Sequence, residues 1–109
     1  MGFNQELGLV AGEDGASVVL ETRPEHEVIP GTVHFAVLAT VAEVSAAQSV
    51  AAGVVPVSVA LQLMSRAEPG RLVGRGKLLK RGRRMAFAEG EVWQGERVVA
   101  KASVTFALT

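Results

Sequence analysis

HFAVLATVAEVSAAQSVAAG, residues 34–53, is built almost wholly from small and apolar side chains. Glu43 sits in its middle, and from Val28 to Ser65 it is the one formally charged side chain. Neither glycine nor proline interrupts residues 32–52. The alanines favour helix, Thr32 is of a type that caps a helix start, and Gly53 with Pro56 stops it. The reading is a helix over residues 32–52, about five to six turns long. It has no clean polar face, so it is expected to be buried nearly all round. A lone acid inside such a helix is costly to bury without a partner.

Outward from the helix the period changes to two. Asp14-Gly15 marks a turn between LGLVAG and ASVVLETR, and the second run reads as a half-buried strand. Pro24, Pro30 and Gly31 mark an irregular approach to the helix. After it come PVSVALQLM, RLVGRGKLLKRG, RRMAFAEGEVW and a final run in which Val98, Ala100, Ala102, Val104, Phe106 and Leu108 share a face. Turns fall at Glu68-Pro69-Gly70, Arg81-Gly82-Arg83 and Gln94-Gly95. Tight turns between strands imply antiparallel hairpins. The expected class is α+β, an antiparallel sheet wrapped around one long central helix. One sheet cannot enclose a helix, so a second copy or another partner is needed to finish its burial.

Length and composition set the frame. The chain has 109 residues, read as one domain over 1–109, and is 49% hydrophobic. Burial at this size is modest, which favours oligomers. Absence of cysteine excludes disulfides and thiolate metal sites and points to a reducing, cytoplasmic compartment. MGFNQELG lacks the basic-then-apolar pattern of a secretory leader. A membrane span over Val28–Ser65 is disfavoured by Gly53, Pro56, Gln48 and Gln62, and by Glu43 near mid-bilayer. His26 and His34 do not make a metal site, and no cofactor is expected.

The net charge is zero but unevenly spread: residues 1–65 carry −6, residues 66–84 carry +7 and residues 85–109 carry −1. The basic block reads either as a solvated hairpin or as a site for an anion. Nucleic acid is not the expected ligand. Trp93 is the one nearby indole, tyrosine is absent and no recognition helix is visible.

The stretch EHEVIPGTVHFAVLATVAE, residues 25–43, resembles the hotdog-fold thioesterases of the phenylacetate-degradation and 4-hydroxybenzoyl-CoA type. Their signature runs roughly N-x-x-G-x-x-H-G-G, with an acid seven residues on. Gly31 and His34 match, and Glu43 falls at the acid position. MSRAEPGRLVGRGKLLKRGRR and QGERVVAKASVTF are similar to the family's later strands. Val28, Phe35 and Ala36 depart from the signature's Asn, Gly and Gly, and Pro56 stands where Ser or Thr is common.

The resemblance implies a hotdog fold and acyl-CoA thioester hydrolysis by a homodimer or homotetramer. It makes Glu43 the base or nucleophile, with the backbone N–H of Phe35 as oxyanion donor beside His34. His34 is more readily read as orienting the loop than as catalytic. Gly31 and Ala36 would line the substrate, and Arg81, Arg83 and Arg84 would contact CoA phosphates, which guanidinium groups bind bidentately. His34 and Glu43, nine residues apart, fall on opposite sides of one helix, so the expected site lies between two chains. Gln48 reads as core-edge polarity, and Ser45 lacks a base. Two alternatives stay open: a non-catalytic hotdog protein that binds an acyl ligand or assembles with itself, and a hydratase or dehydratase using a His–acid pair across the interface.

Overall fold

A computed structural model describes residues 2–50 and 53–109. A short helix α1 (Phe3–Leu7) precedes strands β1 (Val10–Ala11) and β2 (Ser17–Glu21). A ribbon of β3 (Glu27–Ile29) and β4 (Thr32–Val33) leads into the long helix α2 (Phe35–Val50). Four strands follow: β5 (Val54–Leu63), β6 (Arg71–Arg81), β7 (Met85–Gln94) and β8 (Arg97–Leu108). The main sheet runs β1-β2-β6-β7-β8-β5, every pair antiparallel. It curves around α2 in the hotdog arrangement. Among the described residues no helix is long and apolar enough to cross a membrane.

The helix lies very close to the sheet because both surfaces are stripped of side chains where they meet. On the helix the buried face includes Val37, Leu38, Val41, Ala42, Ser45 and Ala46. Opposite them stand Gly74, Gly76 and Gly90. A Cβ on Gly76 would overlap the Ser45 carbonyl, and one on Gly90 would overlap that of Ala42. Leu20, Leu72, Val92, Val104 and Phe106 fill the surrounding core.

Two sequence expectations need correction. The helix begins at Phe35, not at Thr32. Val33 pairs with Glu27 in the β3–β4 ribbon and donates its N–H to the Ala67 carbonyl at 2.9 Å. That pairing holds residues 32–33 extended, and the cap role passes to His34. The expected last two helical residues, 51 and 52, lie outside the described residues.

The four final strands do not form a simple meander either. β6, β7 and β8 do, but β5 crosses to the far edge and pairs with β8. The connection is tied down on its way across the sheet's end. Met64 and Ser65 donate to the Val99 carbonyl, and Glu68 exchanges two hydrogen bonds with the Gln94 carboxamide. The alternation of β8 holds for Ala100, Ala102, Val104 and Phe106 but breaks at Val99. There Trp93 pairs with Val98 while Val92 pairs with Ala100, so Val99 is the extra residue of a bulge, and it is buried.

Candidate functional site

The sheet covers only one side of α2. Along the other side Ala36, Thr40, Glu43, Val44, Ala47 and Gln48 are exposed or half-buried. The expectation of a helix buried nearly all round therefore fails for the single chain.

The turn before α2 is organised by backbone hydrogen bonds. Buried His26 accepts the Arg23 N–H at Nδ1 (3.0 Å), and its carbonyl accepts the His34 N–H (2.8 Å). Gly31 has φ +88°, a conformation that favours glycine. Its N–H donates to Glu27 Oε1 (2.7 Å), and its carbonyl accepts from Arg66 (3.1 Å). His34 Nδ1 accepts the Ala36 N–H at 3.0 Å, and the His34 carbonyl accepts the Val37 N–H at 3.0 Å. The imidazole is thus the N-cap of α2, and the neutral ring carries its proton on Nε2. The Phe35 ring stacks on it at 4.8 Å.

This arrangement separates the residues expected to bind substrate. The N–H groups of Gly31 and Ala36 are already partnered. The Phe35 N–H, in the first turn of α2, has no hydrogen-bond partner among the described residues. It is a donor at the positive end of a helix dipole.

Glu43 lies eight residues further on, about 12 Å along the axis. It has no hydrogen bond or ion pair among the described residues, and burial pushes its carboxyl above the ordinary 4.5. Within one chain, therefore, Glu43 and the Phe35 N–H are not brought together. Among the described residues no group of three His, Cys, Asp or Glu could hold a metal.

The basic block resolves into separate jobs. Arg66 holds the Gly31 carbonyl and Arg71 pairs with Glu21 at 3.2 Å. Arg75 and Lys77 stand directly opposite Glu91 and Glu89. Arg81 donates to the Val50 carbonyl at 3.0 Å, at the negative end of α2. The guanidinium expected to meet phosphate thus secures the helix end. Lys80, Arg83 and Arg84, at the exposed β6–β7 hairpin, have no side-chain partner among the described residues.

Sequence reasoning missed a cavity of about 500 Å³ beside α2, lined by Val10, Val18, Val44 and Val54, with Asn4 and Gln48. Its lining comes from segments scattered along the chain, which no local pattern could have joined.

A hotdog sheet curved around one long helix is the fold of thioesterase-type domains. The chain belongs to the acyl-CoA thioesterase N-terminal domain family, whose profile matches residues 22–107. Among solved structures it is similar to a candidate esterase of Mycobacterium tuberculosis, at 29% identity and TM-score 0.85, covering 98% of this chain and 95% of that one. It is also similar to the phenylacetic acid degradation protein PaaI of Thermus thermophilus, solved as a point mutant (25% identity, TM-score 0.84, 98% of each chain covered). A Bacillus halodurans protein solved with CoA shares the fold at 20% identity and TM-score 0.82, covering 95% of this chain and 74% of that one. No curated protein matches the chain by sequence.

Proposed function

We propose that the chain, acting as one domain in the cytoplasm, hydrolyses acyl-CoA thioesters as a homodimer. Glu43 is the general base or nucleophile, and the Phe35 N–H of the other subunit is the oxyanion donor. The observation that carries this reading is the placement of Glu43: unpaired, half-buried and on the face of α2 that the sheet leaves open. Family membership and the CoA held by the Bacillus halodurans relative support the substrate class.

As base, Glu43 takes a proton from water as the oxygen attacks the thioester carbonyl carbon. The Phe35 N–H donates a hydrogen bond to the growing oxyanion. When the tetrahedral intermediate collapses, the C–S bond breaks, and protonated Glu43 returns its proton to the leaving thiolate. A carboxyl raised by burial is a better base for this than an ordinary one. His34 is a positioning residue, since its Nδ1 is committed to capping the helix. Arg83 and Arg84 offer free guanidinium groups for the phosphates, and Arg81 anchors their hairpin. Gly31 and Ala36 contribute shape rather than donors.

One feature favours the non-catalytic alternative. Phe35 is 55% exposed at the start of α2, where the family signature has glycine, and its ring adds bulk beside the proposed donor.

The test is thiol release from a panel of acyl-CoAs. The wild type is expected to hydrolyse at least one of them. Glu43→Ala should lose at least about 100-fold in kcat, and Arg83→Ala with Arg84→Ala should raise KM with kcat kept. An inactive wild type that still binds acyl-CoA would favour the binding protein.

A further inference from the structure

We propose that His26, which takes no part in the chemistry above, is a positioning residue for the oxyanion donor: it holds His34 so that the Phe35 N–H is left as the one free donor where α2 begins. This rests on the thioesterase reading, which gives that N–H its task.

The amides on either side of Phe35 carry the argument. A helix start leaves its first four N–H groups without partners inside the helix. Here they belong to residues 34–37, and three of them are answered. His34 donates to the His26 carbonyl at 2.8 Å, Ala36 to His34 Nδ1 at 3.0 Å and Val37 to the His34 carbonyl at 3.0 Å. Phe35 alone of the four donates to no group among the described residues. An acyl oxygen arriving at this turn therefore meets a single donor rather than a choice of several.

His34 answers two of the three amides itself, so its placement decides where the Phe35 N–H points. The third bond runs back eight residues to the carbonyl of His26. That carbonyl sits at the end of a single 3-10 turn, Pro24–His26, and a turn so short does not hold its own shape. The imidazole closes it. Nδ1 reaches back to accept the Arg23 N–H at 3.0 Å, while the His26 N–H donates to the Arg23 carbonyl at 2.9 Å. This is the reciprocal cap that Glu or Gln usually supplies from the third position of a helix.

The choice of histidine is not explained by stability. Accepting at Nδ1 leaves the proton of the neutral ring on Nε2. That Nε2 is buried, with no partner among the described residues. An unpaired buried donor costs stability, and one kept in a native structure has a reason. A glutamate in its place would bury a charge. The imidazole gives the turn its acceptor without one.

The experiment replaces His26 by two side chains of nearly the same shape. Gln keeps an acceptor that can reach the Arg23 N–H, whereas the Met thioether is only a weak one. His26→Met should lower kcat for acyl-CoA hydrolysis by about 10- to 100-fold with KM unchanged, the scale of a small misplacement of a reacting group. His26→Gln should keep most of the wild-type rate. Equal kcat in the two variants, high or low, overturns the proposal.

Amide hydrogen exchange, followed residue by residue by NMR, reads the same arrangement without catalysis. In the wild type the His34 and Ala36 amides should be protected and the Phe35 amide should not. His26→Met should release both neighbours, and His26→Gln should hold them. A Phe35 amide as protected as its neighbours overturns the proposal even if neither variant folds. A wild type that hydrolyses no acyl-CoA sinks the thioesterase reading, and the exchange pattern then decides the role of His26 alone. Hydrolysis that the two variants share equally sinks the role of His26 and leaves the thioesterase reading standing.

Discussion

Asp14 accepts the N–H groups of Ala16 and Ser17 and the Ser17 hydroxyl, led by the Ala16 bond, and its carboxyl is held down at about 2. Glu43 has no such donors, and burial alone drives its carboxyl the other way. For a carboxyl raised on folding, the charged form is disfavoured in the native state. The cost is absent below the ordinary value of 4.5 and full above the raised one. Glu43→Gln should therefore raise the melting temperature at pH 8 and leave it unchanged at pH 4, while abolishing hydrolysis. Thermal melts across that range test it, and a gap that widens towards acid would contradict it. The lone acid was legible in the sequence because nothing charged surrounds it. The His34 cap was not, since Thr32 is the better capping type and it is displaced by the β3–β4 pairing and by the contact of Val33 with Ala67, both made with residues outside the helix.

At the level of elements, local patterns were read well and long-range pairings were not. The helix, the β6–β7 and β7–β8 turns and the inward face of β8 follow from periodicity and turn residues. The crossing of β5 to the outer edge does not, because a turn signal marks where a strand ends and not which strand it joins. The Val99 bulge is likewise imposed by its partner strand. The basic block misleads for a similar reason: strand pairing and folding send Arg71 to Glu21, Arg66 to the Gly31 carbonyl and Arg81 to the Val50 carbonyl, so its charges do not act as one patch.

What the sequence displayed without its reason was the glycine pattern. Gly76 and Gly90 are where strand backbone meets helix backbone. Gly90→Ala forces a methyl group into the Ala42 carbonyl and should cost about 3 kcal/mol or more, at the upper end of overpacking effects. Gly2→Ala meets nothing within 4 Å and should change stability by less than about 0.5 kcal/mol. Urea unfolding of both variants decides it, and equal effects would refute the close contact.

For the whole molecule, the open face of α2 and the open edge of the sheet point the same way. Along β5 and just beyond it Val55, Val57, Val59, Leu63 and Met64 are exposed, and one side of that edge strand has no neighbouring strand among the described residues. Such an edge is normally blunted or paired. If pairing two chains completes the site, each site takes Glu43 from one subunit and the Phe35 N–H from the other, and the two contributions can be removed separately. Phe35 is the first residue of the helix, where proline is tolerated and only the N–H is lost. Phe35→Ala controls for the ring and should remain active, whereas Phe35→Pro should lose about 100- to 1000-fold in kcat. Glu43→Gln should be similarly inactive. Unfolded and refolded together in equal amounts, the Pro and Gln variants give half heterodimers. Each of these has one site with both contributions intact, so activity should return to about a quarter of wild type. Sedimentation would report dimers throughout. A mixture as inactive as its parents would mean that Glu43 and the Phe35 N–H belong to one chain's site after all, or to none.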